Sequence, residues 1–243
     1  MIVFVHGVPE TAAIWRKVRD AIDHESVALS MPGFGCPVPE GFGGSMDDYA
    51  SWLSSALDEI EGPIDLVGHD WGGGLTYRIA TTDQGRLRSW AADVGNIAHP
   101  DYEWHDIGKL WQTPGEGEAF VESQNAMEPE ERAGLFEAFG VGHDDALEMA
   151  TSSDATMGAC ILSLYRSALP NPHDQWGPWT PTVAPGLVMH ATEDLLGDEQ
   201  LAGEVAQQLG ARFDRIEGSG HFWPYQAPAE GAAVLERFWA DLP

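Results

Sequence analysis

The chain has 243 residues, 43% of them hydrophobic, and carries 39 acidic against 12 basic residues for a formal charge of −27. That length buries a full core and suits one domain with an insertion, while the charge argues against nucleic acid or an anionic membrane surface as a partner. Two cysteines, Cys36 and Cys160, form neither a disulfide framework nor a Cys-x-x-Cys pair, and no apolar run approaches a membrane span, so a cytoplasmic protein without structural metal is expected. Only Lys17 and Lys109 are lysines. Such a surface fits a protein kept dispersed by self-repulsion and equally one adapted to salt.

Ile2-Val3-Phe4-Val5 is a continuous β-rich run that stops at His6-Gly7, as a buried parallel strand does. Ala13 to Ile22 is compatible with a helix, and Ser26 to Ser30 reads as a second strand closed by Pro32-Gly33-Phe34-Gly35, which makes an α/β unit. Tyr49, Leu53, Ala56, Leu57 and Ile60 recur at helical spacing, after which Ile64 to Val67 reads as a strand. Leu75 to Ala80 continues as helix and Leu87 to Val94 as strand. From about Asn96 to Pro181 the β-rich runs vanish; a helix start is expected at Pro129-Glu130-Glu131 and a helix from Met157 to Ala168, stopped by Pro170. Strands return at Gly186 to His190 and Arg212 to Ile216, and Ala229 to Leu242 closes the chain as a helix. The plan is a parallel sheet interrupted by a helical insertion: residues 1–95 and 182–243 as one core domain, and 96–181 as a helical cap.

The sequence Gly68-His69-Asp70-Trp71-Gly72 sits where a strand meets a helix. It has the form of a nucleophile elbow, the sharp turn that lifts one side chain above the sheet edge between small residues. The lifted group here is a carboxylate. A carboxylate attacks saturated carbon and leaves an ester that water must cleave at its carbonyl.

Three further motifs accompany the elbow: His6-Gly7-Val8-Pro9-Glu10, Glu193-Asp194 and Gly218-Ser219-Gly220-His221. In order and spacing the four resemble the α/β-hydrolase superfamily, in the branch of epoxide hydrolases and haloalkane dehalogenases, over essentially the whole chain. The family usually has two strands ahead of the His-Gly strand where this sequence starts, so either the sheet is reduced to about six strands or the sequence begins late. The resemblance implies Asp70 as nucleophile, His221 as general base on water and Asp194 as the acid that orients it, with Glu193, Asp198 and Asp93 as alternative acids. It implies an oxyanion hole from the backbone N–H groups of Val8 and Trp71. His69 and His6 are expected to be structural.

Leu164-Tyr165-Arg166 resembles the Tyr-Arg element with which epoxide hydrolases protonate the opening oxygen; the alternative is that Met157, Ile161, Leu164 and Tyr165 form a core stripe. The first tyrosine of the family pair has no clean match, and His105 is favoured over Tyr102 in its place. Trp71, Trp104, Trp111, Phe34 and Phe222 are expected around an apolar pocket. The resemblance therefore implies a cofactor-free hydrolase that opens a small apolar or aromatic epoxide with water and releases a diol. Dehalogenation is the alternative, with Trp71 and either Trp104 or Trp111 as halide donors, although Val8 stands where some dehalogenases have an asparagine. A non-catalytic small-molecule binder is the third reading.

Overall fold

The computed structural model describes residues 1–83 and 85–242. Six strands pair in one parallel sheet: β1 Ile2–Val5, β2 Ser26–Leu29, β3 Ile64–Gly68, β4 Leu87–Ala92, β5 Gly186–Ala191 and β6 Arg212–Ile216, in the order β2-β1-β3-β4-β5-β6. The central strands carry apolar residues without a break because both faces are covered. Val3, Val5 and Leu66 face one hydrophobic cluster, and Ile2, Phe4 and Val67 face the other. The first face is covered by α2 Met46–Asp58, α3 Trp71–Thr82 and α10 Glu199–Leu209, and the second by α1 Arg16–Ala21, α11 Trp223–Gln226 and α12 Pro228–Ala240. Helix α2 begins with a capping box, in which Ser45 Oγ accepts from the Asp48 N–H while the Asp48 carboxylate accepts from the Ser45 N–H.

Two expected elements differ in detail. The helix expected over 13–22 is a 3-10 turn, Ala12–Trp15, that runs into the short α1. The strand expected to reach Val94 ends at Ala92, because Val94 takes a left-handed backbone (φ 49°) that a strand cannot contain.

Between β4 and β5 lie α4 Asp106–Gln112, α5 Glu116–Asn125, α6 Pro129–Glu137, α7 His143–Ser152, α8 Ala155–Ser167 and α9 Pro172–Trp176, with no strand among the described residues there. Apolar residues of α4 and α8 join the first cluster, whereas Phe136, Ala146 and Met149 of the α6–α7 pair join the second, with Trp15 and Trp223. Lys17 holds Asp145 at 2.5 Å and Arg16 holds Glu148 at 2.9 Å across that contact. The insertion thus straddles the sheet edge, and a cavity opens beneath it.

Candidate active site

In a parallel α/β sheet, side chains that must converge do so on the loops at the carboxyl ends of the strands. Val8 follows β1, Asp70 follows β3, Asp93 follows β4, Asp194 follows β5 and His221 follows β6. Residues far apart in sequence meet there because all the strands point the same way.

Asp70 has φ 52° and ψ −120°, a conformation that costs a non-glycine residue about 1–3 kcal/mol and persists only where its surroundings enforce it. The enforcement is visible on either side. A Cβ on Gly68 would lie 2.2 Å from the Gly72 carbonyl oxygen, and one on Gly72 would lie 2.2 Å from that of Val5, so neither position accepts a side chain. The Asp70 N–H is also tied to Asp93 Oδ1 at 2.9 Å. Held this way, Asp70 Oδ1 accepts the Val8 N–H at 2.8 Å, while Oδ2 lies 3.8 Å from His221 Nε2. Burial pushes the Asp70 carboxyl up to about 6; Glu10 adds to the rise, and His221, His69 and the Trp71 amide oppose it.

On the other side of the imidazole, His221 Nδ1 is 3.0 Å from Asp194 Oδ2, and Asp194 Oδ1 accepts the Leu196 N–H at 2.8 Å. Burial would lower the His221 pKa, but the Asp194 carboxylate outweighs it and holds the ring above its usual value. Asp194 is correspondingly lowered, against its own burial, by His221. The alternative acids are engaged elsewhere: Asp198 caps α10 through the Leu201 N–H, and the Asp93 carboxylate faces His69, the Asp70 N–H and the Trp223 indole. Glu193 is joined to the His221 loop through its backbone, its N–H donating to the Ser219 carbonyl at 2.8 Å.

Beneath the elbow lies a layer that the sequence does not announce. His69 is fully buried, with Nδ1 2.5 Å from Asp93 Oδ2 and Nε2 3.0 Å from Glu10 Oε1. Burial favours the neutral ring, yet the two carboxylates hold His69 well above the usual imidazole range. Glu10 Oε2 accepts the Gly7 N–H at 3.0 Å, so the same carboxylate braces the loop that presents Val8. His6 is a second brace: Nε2 accepts the Met31 N–H at 3.0 Å, which leaves Nδ1 to donate to the Gly7 carbonyl at 2.8 Å. Glu10, His69 and His221 are the one group of three with metal-like spacing among the described residues, but Glu10 and His69 already satisfy each other's charge.

Asp70 and His221 open onto a mainly apolar cavity that the insertion roofs over. Val8, Phe222, Trp111, Tyr165 and His105 line it, joined by Pro9, Phe136, Ile161 and Leu196, which sequence reasoning does not reach because they face the cavity only once the helices are packed. The core-stripe alternative holds for Leu164, which is wholly buried and off the cavity, whereas Tyr165, Ile161 and Met157 form part of its wall. Tyr165 is held well above its usual pKa by burial and by the nearby Asp70, so it stays an O–H donor. His105 is the N-cap of α4; its Nδ1 accepts the Gly108 N–H at 3.1 Å, and burial pushes its pKa down to about 4. The ring is therefore neutral with its proton on Nε2.

Four expected site residues sit behind the cavity instead. Phe34 is fully buried against the rings of His6 and Tyr49, because the turn after β2 points it into the core. Trp104 stacks on Trp71 at 5.7 Å and gives its indole N–H to the Ala168 carbonyl, and Tyr102 packs on the edge of Trp104 at 5.1 Å. Trp71 likewise backs the wall, meeting the Tyr165 ring at 5.6 Å.

Comparison with known proteins agrees with this architecture. A haloalkane dehalogenase of Mesorhizobium japonicum is 26% identical over 141 residues, which is 52% of this chain and 44% of that protein, so the matched stretch spans less than half of that relative. Among solved structures, an epoxide hydrolase of Bacillus megaterium superposes with a TM-score of 0.76 at 18% identity, over 99% of this chain and 93% of that one. A haloalkane dehalogenase of Bradyrhizobium elkani superposes with a TM-score of 0.72 at 21% identity, over 98% and 89%. At such identities the superpositions speak for the fold alone. The sequence pattern of the alpha/beta hydrolase family matches residues 2–234, from the first strand into the last helix, and the chain belongs to that family.

Proposed function

We propose that this hydrolase opens epoxides through an ester on Asp70. The observation that carries the reading is the placement of two neutral proton donors, Tyr165 and His105, on the wall of the cavity that holds Asp70 and His221. Oδ1 of Asp70 is occupied by the Val8 N–H, which leaves Oδ2 to attack an epoxide carbon. The carbon–oxygen bond of the ring breaks with its electron pair on oxygen; the oxygen, hydrogen-bonded by His105 Nε2–H, takes its proton from Tyr165. The product is a hydroxyalkyl ester.

Oδ1 is then the ester carbonyl oxygen, already 2.8 Å from one oxyanion donor, with the Trp71 N–H as the second. His221 Nε2 takes a proton from water, the hydroxide attacks the ester carbonyl, and the diol leaves as the Asp70 carboxylate re-forms. The proton removed from water restores the one that Tyr165 gave. Asp194 holds the imidazole in the tautomer this step needs and stabilises the cation that forms.

Dehalogenation is the second reading, and one observation favours it: the indole N–H of Trp111, on the cavity wall, is buried without a hydrogen-bond partner among the described residues. An unpaired donor of that kind suits a leaving halide. Intact mass of a His221→Ala variant incubated with pooled epoxides and bromoalkanes separates the readings, since the ester then accumulates. Addition of a whole epoxide is expected; addition of an alkyl group with loss of bromide would replace epoxide opening by dehalogenation, and no adduct would favour a binder.

A further inference from the structure

The roof of the cavity has a direction. Asp154, the N-cap of α8, and Met157, Gly158, Ile161 and Tyr165 on the helix all face the cavity, along one side of α8. Tyr165 stands at the Asp70 end. Eleven residues back along the helix, Asp154 is exposed at the surface, which puts the two ends about 16 Å apart at 1.5 Å per residue.

Helix α5 runs antiparallel beside α8. A Cβ on Gly158 would strike Val121 at 2.2 Å and one on Gly117 would strike Leu162 at 2.9 Å, so residue numbers rise on one helix as they fall on the other. Gln124 and Asn125, at the end of α5, therefore sit beside Ser153 and Asp154 at the outer end. Arg132 confirms the alignment, because its guanidinium donates to the carbonyls of Gln124, Asn125 and Ser153 together. Between this polar mouth and the reaction centre, Val121, Phe136, Met157 and Ile161 make an apolar wall.

Resting on the epoxide reading for the inner end, we propose that the substrate is a terminal epoxide on a long, linear apolar chain without an anionic end, the chain lying along α8 with its tail at the mouth. Three features disfavour an anionic tail. All five N–H groups of Arg132 are spent on backbone carbonyls, including those of Met127 and Ala150. The exposed carboxylate at the mouth is Asp154, and the molecule carries −27, so a fatty carboxylate meets repulsion there without a free guanidinium to offset it.

The test uses unreactive ligands, so that it stands apart from the chemistry at Asp70. Calorimetric titration of the whole protein with butanol, hexanol, octanol and decanol is expected to show affinity rising severalfold per methylene, towards the roughly fourfold of complete burial. A flat or falling series beyond butanol overturns the proposal, as does decanoate binding more tightly than decanol. Met157→Trp, which plugs the middle of the channel, is expected to abolish the gain beyond hexanol; since that variant risks misfolding, the wild-type series decides by itself. If the alcohols follow the expected series while His221→Ala traps no epoxide, the channel stands and the epoxide chemistry falls.

Discussion

The proposed reaction needs Asp70 ionised, yet it is placed where ionisation is disfavoured, with a carboxyl pushed up to about 6 from a usual 3.8. Desolvation makes the carboxylate a stronger nucleophile and charges the fold for it. Because the folded value lies above the unfolded one, the penalty is absent below pH 3.8, grows between there and pH 6, and is complete above. Asp70→Asn is therefore expected to be inactive but more stable at pH 8, by about 3 kcal/mol at most, with the gain vanishing near pH 4. Urea melts at the two pH values check this; equal stability of the two proteins at pH 8 would refute it. Asp70, Asp194 and His221 are legible in the sequence because each stands in a short local motif whose backbone geometry is encoded within a few residues. Tyr165 and His105, the donors proposed for the opening oxygen, are named in the sequence only by resemblance; both line the cavity, but their placement relative to Asp70 is not legible, since they come from two helices whose relative position depends on packing. Phe34, Trp104 and Tyr102 show the same limit: aromatic residues near a motif can as easily support a wall as form it.

At the level of elements, the strands are legible from their unbroken apolar runs and the insertion from the disappearance of those runs. Helix α10 goes unread although its signals are present, with Asp198 as N-cap and Gly210 in the left-handed conformation after the last turn. The short helices of the insertion carry weak amphipathic patterns, because what holds them is specific contacts rather than a broad apolar face. Arg132 is the clearest of these. It is 7% exposed and reaches carbonyls at the ends of α5 and α7 and in the turn between α5 and α6. The carbonyl ends of two helices offset its charge, much as a cation is favoured at any helix C-terminus. Arg132→Met is expected to lower stability by about 3 kcal/mol, given roughly 1–3 kcal/mol for each buried polar group left unpaired and partial relaxation. Arg132→Lys, with one three-donor ammonium in place of a five-donor fork, should recover only part of it. A methionine variant as stable as the wild type in thermal melts would contradict this role.

Across the whole molecule, 39 acidic residues face 12 basic ones, and most of the ion pairs are exposed and individually weak. Self-repulsion then dominates the long-range electrostatics, so added salt should stabilise. Raising sodium chloride from about 0.02 M to about 0.5 M shortens the Debye length severalfold and is expected to raise Tm; a fall would mean that the surface pairs outweigh the repulsion. The strand order has a further consequence, for the way the chain is made. After the elbow strand, β4, β5 and β6 are laid down in space in the order in which they are synthesised, each against the edge left by the one before. A nascent chain can thus extend its sheet outward as it leaves the ribosome, with the six-helix stretch as an interval between the fourth strand and the fifth. Asp194 and His221 follow the last two strands, so Asp70 waits without these two neighbours until β5 and β6 have both emerged.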